Sequence, residues 1–220
     1  MPQHHPDAFR RQLLLGALAC GLLAGGCSRS AKPQGKMLAS DANLLCLGDS
    51  LTFGFGAGAG ASYPQKLEQL SGHVTQNAGV NGDTAEGALA RLPGLLQSNQ
   101  PGLVLVSIGA NDFLRQLPLQ RTRDALTQIV QIASASAQVV LIAQPRPVLM
   151  ALASGSVQDH PVYAEVAAET GVPLYAGGWS EVLSRAELRS DQIHANAQGY
   201  ALFAERLAQW LRESGFIGQT

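Results

Sequence analysis

The 220 residues are 46% hydrophobic and only 14% charged, a balance that suits one globular domain with a full core and a small appendage. A formal net charge of −1, with no basic cluster beyond the pairs Arg10-Arg11 and Arg121/Arg123, counts against a nucleic-acid-binding surface. The second pair falls at the start of a helical period and reads as solvated surface.

The chain opens on a targeting pattern. Arg10 and Arg11 precede an apolar run from Leu13 to Leu23, the length of a signal h-region and too short for a stable membrane-spanning helix. The run ends in Leu23-Ala24-Gly25-Gly26-Cys27, which resembles the lipobox of bacterial lipoproteins. That resemblance implies a signal peptide over 1–26 and lipidation of Cys27, and hence a membrane anchor on the periplasmic side. The plainer alternative is an ordinary secretory peptide cut nearby, giving a soluble periplasmic protein. The arginine pair also resembles a twin-arginine export signal, although Phe9 stands where Ser or Thr is usual. Cys20 would leave with the leader; with Cys27 acylated, Cys46 alone stays a thiol and no intrachain disulfide can form. Residues 27–41 lack an apolar period and read as a tether to a domain over 42–220.

The domain begins with Leu44-Leu45-Cys46-Leu47-Gly48-Asp49-Ser50, an apolar run that stops at a glycine, an acid and a serine. It predicts a buried strand over Asn43 to Leu47 that delivers Ser50 to its carboxyl end, the edge of an open α/β sheet where ligands bind. Ser50 is therefore a candidate nucleophile, unless it only caps the next helix. Cys46 reads as a small buried hydrophobe. The alternating glycines from Gly54 to Gly60 do not follow the strand directly and have no acid about 20 residues on, so they do not make a dinucleotide loop. They read as a mobile loop beside Ser50.

A helix from Tyr63 to Leu70, entered by Ser62 with Pro64 in its first turn, leads to a short strand over Val74 to Asn77. The turn through Asn81, Gly82 and Asp83 follows. Thr84 caps a helix to about Leu96, which Pro93 is expected to kink or end. Leu103 to Ile108 is the clearest buried strand and runs into Gly109-Ala110-Asn111-Asp112. A helix over Thr122 to Ala135 and a strand over Val139 to Ala143 make another unit. From Pro145 to His160 the pattern breaks around an apolar patch of Val148, Leu149, Met150 and Leu152; this stretch is expected either to wall the acyl or leaving-group site or to pack as a loop on the core. A helix to Thr170, a strand over Val172 to Tyr175, a helix over Trp179 to Arg185 and a last amphipathic helix from Ala197 to Glu213 complete the chain. Alternating strands and helices predict a three-layer α/β/α, flavodoxin-like domain with a parallel sheet of about five strands.

Near the end, Ser190-Asp191-Gln192-Ile193-His194-Ala195 supplies what a serine nucleophile needs. A hydroxyl gains reactivity when an imidazole takes its proton, and a carboxylate fixes the imidazole's tautomer and balances its charge. Of His73, His160 and His194, only His194 has an acid three residues before it. Asp159-His160 is a rival pair, but neighbours in sequence rarely face each other, and Pro161 after it suggests a helix cap. Acyl transfer also needs donors aimed at the developing oxyanion; the amides of Ser50 and Gly82 and the side chain of Asn111 fit that need. Asp49, Asp83 and Asp112 read as supports for these turns.

The four blocks, in this order, resemble the SGNH (GDSL) hydrolases over about Asn43 to Leu211, with particular likeness to the bacterial periplasmic thioesterase/lysophospholipase and arylesterase members. The resemblance implies that Ser50, Gly82, Asn111 and His194 are the four name-giving residues, with Asp191 as the triad acid. It implies an acyl-enzyme route for a small-molecule ester or thioester. No metal-ligand cluster is visible in the sequence, nothing calls for a cofactor, and a monomer is expected. Two departures stand out. The proline that usually follows the histidine is Ala195 here, which removes a stiffener from that loop. The serine also lacks the second glycine of a G-x-S-x-G elbow, which disfavours an ordinary α/β-hydrolase. An O-acetyl esterase acting on cell-wall glycans is an alternative within the same chemistry. A non-catalytic binding lipoprotein is an alternative of another class, whose mark would be a broken catalytic set; every member is present.

Overall fold

The computed structural model describes residues 35–146 and 157–218. The export signal, Cys27 and the apolar patch of the Pro145 to His160 stretch lie outside the described residues. Five parallel strands, β1 (Leu44–Gly48), β2 (Thr75–Gly79), β3 (Leu103–Ser107), β4 (Gln138–Ile142) and β5 (Leu174–Tyr175), pair in the order β2-β1-β3-β4-β5. The chain starts in the middle, moves to one edge and then crosses back, so the strand order reverses between β1 and β3. In such sheets the crevice at that reversal, outside the carboxyl ends, is where ligands bind.

The helices are α1 (Ser50–Phe53), α2 (Tyr63–Ser71), α3 (Ala85–Asn99), α4 (Ala110–Leu114), α5 (Leu119–Ser134), α6 (Val162–Thr170), α7 (Gly178–Leu183) and α8 (Ala197–Glu213), with a 3-10 turn at Ala186–Leu188. Every residue of β1 and β3 is buried, because helices cover both faces. Side chains alternate along a strand, so the sheet serves two cores. Leu44, Cys46, Leu103, Leu105 and Ile142 face Tyr63, Trp179 and Phe203 of α2, α7 and α8. Leu45, Leu47, Val104, Val106 and Leu141 face Leu92, Ile129 and Val166 of α3, α5 and α6. Each fully buried Leu or Val contributes about 1.5–3 kcal/mol relative to exposure, and the Trp179 and Phe203 rings add a stack with centroids 3.6 Å apart.

The α/β/α architecture and the five-stranded parallel sheet agree with the pattern read from the sequence, and α8 has the bounds expected of it. Three details differ. Helix α3 runs through Pro93 to Asn99, because the proline sits on the exposed side and forfeits a single backbone bond. Strand β5 is only two residues long and begins after Pro173, which accepts from the Leu141 N–H but has none to donate. Residues 35–41, the expected end of the tether, lie on the domain. Gly35 N–H donates to the Ser214 carbonyl at 2.7 Å, Leu38 N–H to that of Phe216 at 2.9 Å, and the apolar Leu38 side chain joins the core.

Candidate active site

Helix α1 sits directly on the strand ends, and two glycines make that possible. A Cβ on Gly48 would lie 2.0 Å from Thr52 Oγ1, and one on Gly79 would lie 2.1 Å from the Phe53 nitrogen. Asp49 caps the helix: its Oδ1 accepts from the Leu51 N–H at 3.0 Å, and its carbonyl accepts from Thr52 and Phe53. Ser50 is thus the first helical residue and not the cap. Its own N–H has no acceptor within the helix.

The loop before α8 brings a histidine to that serine. Asp191 Oδ1 accepts from the N–H groups of Ile193 and His194, both at 2.8 Å, and these bonds fold the loop into a tight turn. Asp191 Oδ2 lies 2.7 Å from His194 Nδ1, and His194 Nε2 lies 2.9 Å from Ser50 Oγ. A carboxylate can only accept, so Nδ1 carries the hydrogen and Nε2 offers its lone pair to the hydroxyl. Partial burial pulls the Asp191 carboxyl up; the His194 ring N–H and the two loop amides more than offset this and hold it below the usual carboxylate range.

The loop keeps its shape without a proline after the histidine. Ser190 N–H donates to the His194 carbonyl at 3.0 Å, Asn196 N–H to that of Leu188 at 2.8 Å, and Ala195 is fully buried. Asn196 then caps α8 by accepting from the Gly199 N–H. The start of the glycine-rich segment expected to be mobile, Gly54 and Phe55, is fastened to this assembly. The N–H groups of Gly54 and Phe55 donate to the Ser50 carbonyl, Tyr200 Oη donates to the Phe55 carbonyl at 2.8 Å, and the Phe55 ring lies 4.5 Å from that of His194.

Gly82 and Asn111 follow the two strands that flank β1. Gly82 has φ of +75°, and its carbonyl accepts from Arg115 at 2.7 Å, while no intramolecular acceptor for its N–H is found among the described residues. Asn111 Nδ2 donates one hydrogen to the Asp83 carbonyl at 2.9 Å and keeps the other. Arg91 holds the two turns together: Nε donates to Asp83 at 2.9 Å and a terminal nitrogen donates to the Gly48 carbonyl at 2.9 Å. Beneath Asn111, buried Asp112 accepts from the Ala85 N–H and the Thr122 hydroxyl. Burial raises its carboxyl above the ordinary range. All three acids beside the blocks therefore act as local supports.

Sequence reasoning passed over Gln144, Phe55 and Tyr200. Gln144 Oε1 accepts from the Ala110 N–H at 2.7 Å and its Nε2 donates to Ser107 Oγ, which fixes the turn that presents Asn111. Its position at the carboxyl end of β4 was a usable signal. Asp159 and His160 turn to separate partners: Asp159 accepts from the Gly177 N–H and the Ser180 hydroxyl, and His160 Nδ1 accepts from the Val162 N–H while its ring stacks flat on Phe113 at 4.1 Å. Burial and Arg146 keep His160 below the usual imidazole range.

Residues 46–202 match the profile of the GDSL-like lipase/acylhydrolase family, a span that holds the Ser50, Gly82 and Asn111 turns and the His194 loop. The chain belongs to this family. Among similar proteins, the thioesterase 1/protease 1/lysophospholipase L1 of Escherichia coli K12 is 35% identical over 77% of this chain and 83% of its own. The arylesterase of Vibrio mimicus is 31% identical over 76% and 87%. A crystal structure of TesA superposes with a TM-score of 0.67 at 28% identity, covering 78% of this chain and 99% of the other. As an SGNH/GDSL member with esterase and thioesterase relatives, the chain is a carboxylic ester hydrolase.

Proposed function

We propose that the protein cleaves carboxylic esters or thioesters through an acyl-enzyme on Ser50. The observation that carries this reading is the unbroken line from Asp191 through His194 to the Ser50 hydroxyl, at 2.7 and 2.9 Å. His194 Nε2 takes the Ser50 proton as Oγ attacks the carbonyl carbon, and Asp191 balances the imidazolium. The oxyanion sits against the amides of Ser50 and Gly82 and the free Asn111 amide hydrogen. His194 then protonates the departing oxygen or sulfur, water attacks the acyl carbon with His194 again as base, and Ser50 is regenerated. The export pattern and Cys27 support a location outside the cytoplasm, on the periplasmic side of a bacterial membrane. The E. coli thioesterase/lysophospholipase and the Vibrio arylesterase support acyl thioesters, lysophospholipids and aryl esters as the substrate range.

Hydrolysis of p-nitrophenyl acetate, butyrate and octanoate by the wild type and by Ser50→Ala tests the proposal. Turnover that collapses in the variant and favours the longer acyl chains is expected. Equal rates in the two proteins would remove Ser50 as nucleophile, and a sharp preference for acetate would redirect the substrate reading to O-acetyl groups.

A further inference from the structure

A groove of about 560 Å³, within the size range of small-molecule sites, lies on the β2 side of the sheet and is lined by the turn that follows Ser50, from Phe53 onward. Its walls are Phe53 and Phe55, its bed is the backbone of Gly54 to Gly60, and its floor is Asn77 with Ser62 and Gln65. Phe53 is 52% and Phe55 45% exposed, so two aromatic faces stand open to whatever enters. No Asp, Glu, Lys or Arg is in the lining. Most of the floor's polar groups are occupied with one another: Asn77 Nδ2 donates to the Phe53 carbonyl and to Ser62 Oγ, and the Ser62 hydroxyl donates to Gln65 Oε1 at 2.8 Å. The groove thus offers flat apolar contact and no ionic grip.

We infer that this groove receives the alcohol half of the ester, and that it suits an uncharged, flat-faced alcohol such as a phenol. The inference rests on Ser50 being the nucleophile. The groove wall grows out of the nucleophile's own turn, since the N–H groups of Gly54 and Phe55 both donate to the Ser50 carbonyl, at 3.0 and 3.1 Å. The same wall touches the proton donor: the Phe55 ring packs 4.5 Å from the His194 ring, and a Cβ on Gly56 would strike Ser190 of the histidine loop. When the carbon–oxygen bond of the tetrahedral intermediate breaks, its electron pair goes to the alcohol oxygen. That oxygen takes the Nε2 proton of His194 and leaves as a neutral alcohol, while the acyl group stays on Ser50 Oγ. The departing half must therefore lie on the side that Phe55 and His194 share. The other substituent of the carbon exits across Ser50, towards α4 and the Phe113–His160 stack on the β3 and β4 side. A ring between Phe53 and Phe55 gains aromatic contact, and a phosphate-bearing leaving group finds no counter-charge, so within the range the relatives support the groove favours aryl esters over lysophospholipids.

Two ester series on the full chain separate the halves. One holds the acyl group at butyrate and varies the alcohol from methyl to phenyl to 2-naphthyl; the other holds phenol and lengthens the acyl chain from acetate to octanoate. In Phe53→Ala, a substitution at a half-exposed side chain, kcat/KM is expected to fall about tenfold for the naphthyl ester and less than about twofold for the methyl ester. The loss is expected to be the same along the acyl series, with the deacylation rate unchanged, because the alcohol has gone by then. Ala59→Arg, which adds bulk and charge at the groove, is expected to show the same selectivity. A loss that grows with acyl length and ignores the alcohol would overturn the inference, as would no loss in either series. Binding of 2-naphthol to Ser50→Ala, followed by its fluorescence, gives a readout without turnover: several-fold weaker binding on adding Phe53→Ala is expected, and equal binding overturns the inference. A wild type that cleaves no ester at all would instead sink the Ser50 reading, with the naphthol result still deciding the groove.

Discussion

In the proposed mechanism Asn111 and Asp191 serve the same reaction through different groups, and their surroundings set how much each loss is expected to cost. Asn111 has one amide hydrogen tied to Asp83 and one free, so Asn111→Ala removes a donor already in position. A fall in kcat of about 10²–10³ with little change in KM is expected from steady-state kinetics. Asp191 has a side chain 44% exposed against 13% for His194. Solvent shares in screening the imidazolium there, so Asp191→Asn is expected to cost kcat less than Ser50→Ala does, and a loss equal to that of Ser50→Ala would contradict this. At this scale the sequence was most legible where chemistry demands a residue type at a fixed offset, as with Asp191 and His194. It was least legible at Gln144, Phe55 and Tyr200, whose parts depend on which distant turns they meet in space.

Helix α1 and helix α3 show how two glycines of one chain answer different demands. Gly79 lets α1 approach the sheet, and a Cβ there would sit 2.1 Å from the Phe53 backbone nitrogen, which cannot move independently. Gly79→Ala is expected to lower Tm and kcat together, since Phe53 and Ser50 must shift with it. Gly94, inside α3, meets nothing within 4 Å and has no unusual φ. Gly94→Ala is expected to stabilise by about 0.5–1 kcal/mol and to raise Tm by about 1–4 °C with activity unchanged, as read by thermal unfolding. Elements were legible wherever apolar period and a cap agreed, as for α8 between Asn196 and Glu213. The bounds slipped where a local signal was outvoted. Pro93 reads as a kink or a stop, yet Leu95 and Leu96, packed against the core beyond it, carry α3 on to Asn99.

Across the whole molecule, parallel neighbouring strands gather Ser50, Gly82 and Asn111 at one edge and the loop before α8 brings His194 to Ser50; alternation of strand and helix was enough to foresee a shared edge. The electrostatic cost of that edge was not foreseeable, because it depends on depth of burial. Asp49 is 1% exposed, one of its carboxyl oxygens has no hydrogen-bond partner, and the Gln144 amide beside it is bonded to Ser107. Burial first, and Asp83 nearby to a lesser degree, push its carboxyl up to about 7, against the opposing Leu51 amide. The folded state therefore holds this proton between about pH 4 and 7 while the unfolded chain releases it. The contribution to stability is full below about pH 4, is lost as pH rises towards 7, and amounts to a swing on the order of 4 kcal/mol. Urea unfolding is expected to show Asp49→Asn gaining about 2–3 kcal/mol on the wild type between pH 5 and pH 8, whereas parallel curves would contradict it.

The most direct measurement is covalent trapping of the nucleophile. Diethyl p-nitrophenyl phosphate, followed by peptide mass spectrometry, is expected to place one diethylphosphoryl group on the peptide carrying Ser50 and none on Ser50→Ala. The rate is expected to drop at least about a hundredfold in His194→Ala. A label on another residue, or equal labelling rates with and without His194, would contradict the claim that His194 activates Ser50.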